Sequence, residues 1–170
     1  SFSVAGSVGA YQYWARAASP AVVDVHVAND TDAHGNPVGG TVAVTLLTKA
    51  GAPSAELITQ VQAALSGEKR RPLCDTVIVR APEVLEYALD AELTLFTGAN
   101  AVEVKAAAEA AWAAWESDKR AKLGGDIVPL DVAGCLKVAG VYNVRLTTPT
   151  LTVVKPHQWA KCTVVRITVA

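Results

Sequence analysis

The sequence predicts an α+β protein of two small units, each an antiparallel or mixed sheet with helices packed on one face. Three observations lead there. Period-two alternation recurs in short runs, most clearly where Leu85, Tyr87, Leu89, Ala91, Leu93 and Leu95 share one face and Glu86, Asp90, Glu92 and Thr94 hold most of the other. Segments with helical spacing lie between the runs, the longest from Ala101 to Leu123. The elements read α-β-β-α-β up to Ala81 and β-α-α-β-β from Pro82, so the expected units are 1–81 and 82–170. A strand with one apolar and one wet face fits a sheet covered by helices on a single side.

In the first half, Val8, Tyr11 and Ala15, with Trp14 beside them, fall at helical spacing, giving a helix over Ser7–Ala18. Ser19-Pro20 ends it, because the residue before proline is pushed out of the helical region. Val23, Val25 and Val27 then alternate with Asp24 and His26, and Val42, Val44 and Leu46 alternate with Thr41, Ala43 and Thr45. The polar tract between them, Asn29 to Pro37, makes the two runs a hairpin. Ser54 stands where a helix N-cap is needed, ahead of the apolar face Leu57, Val61, Ala64 and Leu65. Lys69, Arg70 and Arg71 sit near the negative pole of that helix, and Pro72 blocks its continuation. Thr76–Ala81 reads as the third strand.

In the second half, Val104, Ala108, Ala111, Trp112 and Trp115 make the apolar stripe of the long helix, which Gly124-Gly125 stops. A shorter helix is expected over Leu130–Val138. Tyr142, Val144 and Leu146 begin another strand, and Val165, Ile167 and Val169 close the sheet. Leu151–Trp159, carrying Pro156, is a long connection or a strand extension.

Composition narrows the function. With 51% hydrophobic residues among 170, the chain can bury a core. The longest apolar stretches fall short of the ~20 residues that span a bilayer, and no signal-peptide pattern occurs. A net charge of -1 lacks the basic surplus with which nucleic-acid binders neutralise phosphate. Cys74, Cys135 and Cys162 are odd in number and widely spread, which argues against a disulfide framework and for a reducing compartment. The absence of Met and the opening Ser1 lead one to expect a fragment or a processed product.

Candidate chemistry is sparse. Asp30, Asp32 and Gly35 echo the opening of a calcium loop, but the twelfth position is Thr41 rather than a bidentate Glu, and the flanks read as strands. His26, His34 and His157 share no metal-ligand spacing. His157 and Cys162 are the one Cys–His pairing near in sequence. Cys74 stands before Asp75, a neighbour that disfavours its thiolate. Glu83, Glu86, Asp90 and Glu92 could pair as acids for glycoside chemistry, but the period of two makes Glu86, Asp90 and Glu92 the wet side of one strand. These observations assign no catalytic, metal or cofactor-binding residue.

A family does emerge from motif order. Pro53-Ser54-Ala55-Glu56-Leu57, Val61 to Ser66, and Arg70-Arg71-Pro72-Leu73-Cys74-Asp75 followed by Val77 and Val79 resemble the baseplate J family of contractile-tail phages, in its C-terminal part. The opening Ala5-Gly6, Gly9-Ala10-Tyr11 and Trp14-Ala15 is similar, as are Leu93, Leu95, Gly98, the Ala-rich helix and Leu123-Gly124-Gly125-Asp126-Ile127. The short helix before Gly140-Val141 and the strand after it match too. Cys74 departs from the pattern, standing where many relatives are expected to carry Thr.

The resemblance implies a wedge component of a tail baseplate, a structural protein of the virion assembled in the host cytoplasm. It implies other baseplate and tail proteins and further copies of itself as partners, with no nucleic acid, membrane, cofactor or enzymatic activity. A phage, a prophage, or a tail-derived secretion or bacteriocin system would use the same family, with the N-terminal part of such a protein lying upstream of Ser1. The alternatives are a cell-wall hydrolase, which needs converging acids or a Cys–His pair, and a host-surface binding module. The tract Pro149–Trp159 and the loop Asn29–Gly40 are the expected docking elements. His157 and Trp159 are the expected contacts, because aromatics concentrate at binding hot spots. The other reading of Trp159 is a core residue capping the sheet.

Overall fold

The computed structural model describes residues 4–67 and 76–170, with the side chains of the first helix described from Val8 on. The expected ends and turns built on Lys69, Arg70, Arg71, Pro72 and Cys74 lie outside the described residues. The chain divides into two compact units, Ser1–Glu83 and Val84–Ala170. Both are α+β, each with a three-stranded mixed sheet and two helices among the described residues.

In the first unit, α1 (Val4–Ala18) is followed by β1 (Val22–Thr31), β2 (Pro37–Thr48), α2 (Ala55–Leu65) and β3 (Thr76–Arg80). The sheet order is β1-β2-β3, with β1 antiparallel and β3 parallel to β2. A parallel neighbour needs a crossover, and α2 supplies it. Ser54 caps α2 as expected, its Oγ accepting from Leu57 N at 3.3 Å. Tyr11 and Ala15 of α1 and Val61 and Leu65 of α2 pack with Val25, Val27, Val44, Leu46, Val77 and Val79 into one core.

One expectation is corrected here. Val23 does not share the core face with Val25 and Val27. The β1–β2 register shifts between Val22 and Asp24, so one extra residue enters β1 and Val22 takes the buried place. Both faces of β2 are covered: Ala43, Thr45 and Leu47 are buried along with Val44 and Leu46. Arg80, level with Thr45 on one edge strand, reaches Asp30 on the other at 3.0 Å.

The expected loop Asn29–Pro37 is shorter than its composition indicates. The ladder continues to Thr31 opposite Pro37, and Asp32 closes the turn. Its carboxylate accepts from His34 N at 2.8 Å and from Asn36 N at 2.9 Å. Those bonds, with one from the Asn36 amide, hold the Asp32 carboxyl below its ordinary range.

In the second unit, β4 (Glu83–Leu95) leads to α3 (Ala101–Arg120), α4 (Pro129–Leu136), β5 (Val141–Thr148) and β6 (Gln158–Val169). The sheet order is β5-β4-β6. β5 is antiparallel to β4. β6 runs parallel to it: Thr163 bonds Tyr87 O, Thr168 bonds Ala91 O and Ala170 N bonds Leu93 O, the numbers rising together. Leu89, Ala91 and Leu93 face Val104, Ala108 and Trp112 of α3 and Val132 and Leu136 of α4 across one core, and Asn100 caps α3 through bonds to Val102 N and Glu103 N.

The strand parities again break at bulges. The β4–β5 register shifts between Thr94 and Leu95, which puts Val141 in the core and turns Tyr142 outward. Tyr142 packs edge-on against Phe96 instead, at 5.3 Å between ring centres. Likewise the core face of β6 is Ala160, Cys162 and Ile167, with Val165 exposed. Thr163 to Thr168 of β6 spans one residue more than Tyr87 to Ala91 of β4, so parity changes between Cys162 and Ile167.

Candidate functional site

The tract between β5 and β6 is a strap laid across the segment that joins α3 to α4. Thr152 forms an antiparallel bridge with Ile127, each N–H donating to the other's carbonyl, at 2.9 and 3.0 Å. Val154 N donates to Asp126 Oδ1 at 2.8 Å. Gly124 N donates to Gln158 O at 3.0 Å. Trp159 Nε1 donates to Arg120 O at 2.9 Å. In a longer α3 the Arg120 carbonyl would accept from Gly124 N. Here both groups bond the strap, which is why α3 stops at Arg120 rather than at the expected Leu123. Gly124 has φ +68, and a Cβ there would sit 2.9 Å from Pro156 Cα, so the strap can lie this close only over glycine.

Alternation along the strap then sorts its side chains. Val154 is buried and Thr152 half-buried, while Leu151 and Val153 stand 64% and 68% exposed. Two large apolar side chains are thus held outward by a backbone tied down at several points. The sequence signal was the run Leu151-Thr152-Val153-Val154; what it lacked was the bridge to Ile127 that decides which side faces solvent.

Trp159 is only 4% exposed, and its N–H is donated to the Arg120 carbonyl. Leu151 and Val153 are the exposed apolar residues of the strap, and His157 beside them is half-buried.

The other candidate residues are dispersed. His26 lies in β1 opposite Thr45, and His34 in the Asp32 turn. Among the described residues no group of three or more His, Cys, Asp or Glu is placed to hold a metal ion. Glu86, Asp90 and Glu92 lie on the wet side of β4, where Arg166 approaches Asp90 at 4.0 Å and Arg145 approaches Glu92 at 3.9 Å. Cys162 belongs to the core, its Sγ donating to Val164 O at 3.4 Å.

Burial pushes the Cys135 thiol up to about 11 and raises that of Cys162. A raised pKa means less thiolate at a given pH, and the thiolate is the nucleophile. Cys135 is therefore expected to resist iodoacetamide at pH 8 and to react about tenfold faster per unit of rising pH until about pH 11. Timed labelling with peptide mass mapping checks this, and labelling at the rate of a free cysteine would contradict it.

Each of the two α+β units carries its own core, and an arginine stands near Asp90 and near Glu92 on β4. Comparison with known proteins shows which family these two units belong to. Residues 3–81 match the Baseplate J-like central domain, and residues 87–168 match the Baseplate J-like protein C-terminal domain. The chain is 35% identical over 166 residues to Baseplate protein J of Escherichia phage P2, covering 97% of this chain and 53% of that protein. The chain belongs to the baseplate J family, and it spans about half the length of the curated relative it matches. Its fold is shared with a chain of the six-fold symmetrised baseplate of the anti-feeding prophage, with a TM-score of 0.63, 13% identity, 89% of this chain covered and 36% of the other.

Proposed function

We propose that this chain is a structural component of a contractile phage or phage-like tail baseplate, acting by binding neighbouring subunits rather than by catalysis. The observation that carries the contact is the strap, which holds Leu151 and Val153 outward on a backbone tied to Asp126, Ile127 and Gln158. A surface already ordered loses little conformational freedom on binding, so its apolar area converts more fully into affinity. His157 lies beside this surface, and Trp159 serves it from beneath by fixing the strap to α3.

The partners in this reading are other baseplate and tail proteins, together with further copies of the chain, in a virion baseplate assembled in the host cytoplasm. Neither nucleic acid nor a membrane takes part. The two units act as separate domains joined near Ala81-Pro82. The division of the fold at Glu83 and Val84, and the family matches that end at 81 and resume at 87, support that boundary.

The test is a pull-down with this chain as bait in lysate of cells expressing the complete tail gene cluster, the captured proteins being identified by mass spectrometry. Baseplate proteins captured by the parent chain, and lost with Leu151→Glu and Val153→Glu together, are the expected result. Equal capture by the double variant would move the contact elsewhere. No capture by the folded parent would overturn the reading.

A further inference from the structure

The β1-β2-β3 sheet ends in two edge strands, and an edge strand offers unpaired N–H and C=O groups to any extended chain. In this protein a side chain occupies the edge of β3. Gln62 of α2 donates from Nε2 to Val77 O at 2.8 Å, and its Oε1 accepts from Val79 N at 2.8 Å. Those two groups flank Ile78. A residue of a parallel neighbouring strand makes the same pattern, donating to the carbonyl before the residue it faces and accepting from the N–H after it. The opposite edge is treated similarly. At Val25 of β1, the N–H donates to Asp24 Oδ1 at 2.9 Å and the carbonyl accepts from Gln12 Nε2 at 3.4 Å, with Arg16 3.3 Å from Asp24.

We infer that the Gln62 amide is an edge guard: it takes the place of a fourth strand at β3 and prevents β3 of a second copy of this chain from adding there. The second copy is the occupant because β3 is self-complementary. An antiparallel pair centred on Ile78 sets Val77 opposite Val79 and Thr76 opposite Arg80, so no like charges face each other. Its residues Thr76-Val77-Ile78-Val79 are strong strand formers, and Ile78 is already partly exposed. The inference is independent of the family and of the strap. It implies that sheet addition at this edge is closed to the free chain, so that chains meeting before assembly do not join through it.

Gln62→Leu tests it, read by hydrogen exchange and by sedimentation over a concentration series. At low concentration the Val79 amide is expected to exchange at least about tenfold faster than in the parent, the effect of losing one net hydrogen bond. As concentration rises, an association absent from the parent appears. Adding Thr76→Lys, which sets a second cation opposite Arg80, abolishes that association. The Val44 and Leu46 amides report whether the unit is folded. If Gln62→Leu loses them, Gln62→Glu decides: it keeps the acceptor for Val79 N but no donor for Val77 O, and new association with a protected Val79 amide supports the guard. An unchanged Val79 amide in folded Gln62→Leu, or no new association in whichever variant is folded, overturns it.

Discussion

Replacing Trp159 with alanine is expected to destabilise the second unit by about 3–5 kcal/mol, the usual cost of removing a large buried aromatic. The ring is 4% exposed, and its N–H meets the last helical carbonyl of α3, that of Arg120. Alanine would leave a cavity in place of the buried ring and also strip that carbonyl of its partner. Trp159→Phe separates the two effects. It keeps most of the volume and loses the hydrogen bond, so about 1–2 kcal/mol is expected. Urea unfolding followed through the remaining tryptophans measures both variants. A loss under 1 kcal/mol in Trp159→Ala would mean that the ring contributes nothing to holding the strap.

The second large effect is expected at Gly140, in the turn before β5. Its φ is +91, and a Cβ would lie 2.6 Å from Cγ2 of Val104 and 3.5 Å from Cβ of Ala99. Val104 is itself buried in the α3 face of the core, so it has little room to yield. An L-residue in the left-handed region costs about 1–2 kcal/mol, and crowding a packed core costs about 1–3 kcal/mol more. Gly140→Ala is therefore expected to lower stability by about 2–5 kcal/mol. Gly134 of α4 is the control: nothing lies within 4 Å of a Cβ built there, and alanine is the better helix former. Gly134→Ala is expected to be neutral or stabilising by up to about 1 kcal/mol. Equal effects of the two substitutions in denaturant midpoints would contradict the account of Gly140.

These two positions show what was legible in the chain. The order of elements, the Ser54 cap, the Val104-Ala108-Trp112 stripe and the alternation of Leu89, Ala91 and Leu93 all follow from period and propensity, and the structure has them. Failures cluster where one extra residue enters a strand. Simple alternation puts Val23 on the core face, and it lies at a shift of register that reverses parity; Tyr142 and Val165 lie at or near similar shifts. A bulge is set by how two strands fit together, so one strand's pattern cannot announce it. The long-range polar contacts were hidden for a similar reason. Gln62 looks like an ordinary polar residue on a helix until β3 is placed beside it, and Trp159 reads equally well as surface or core until its N–H finds Arg120.

The candidate contact surface was legible as a region and not as residues. The tract Pro149–Trp159 stood out by composition, but the bridge between Thr152 and Ile127 makes Leu151 and Val153 its outward pair. Electron cryo-microscopy of assembled tail particles carrying the full-length protein tests the central claim most directly. The account predicts density for both units within the baseplate, with Leu151 and Val153 buried against a neighbouring subunit. Particles that assemble a complete baseplate without this chain, or that leave the strap facing solvent on every copy, would contradict it.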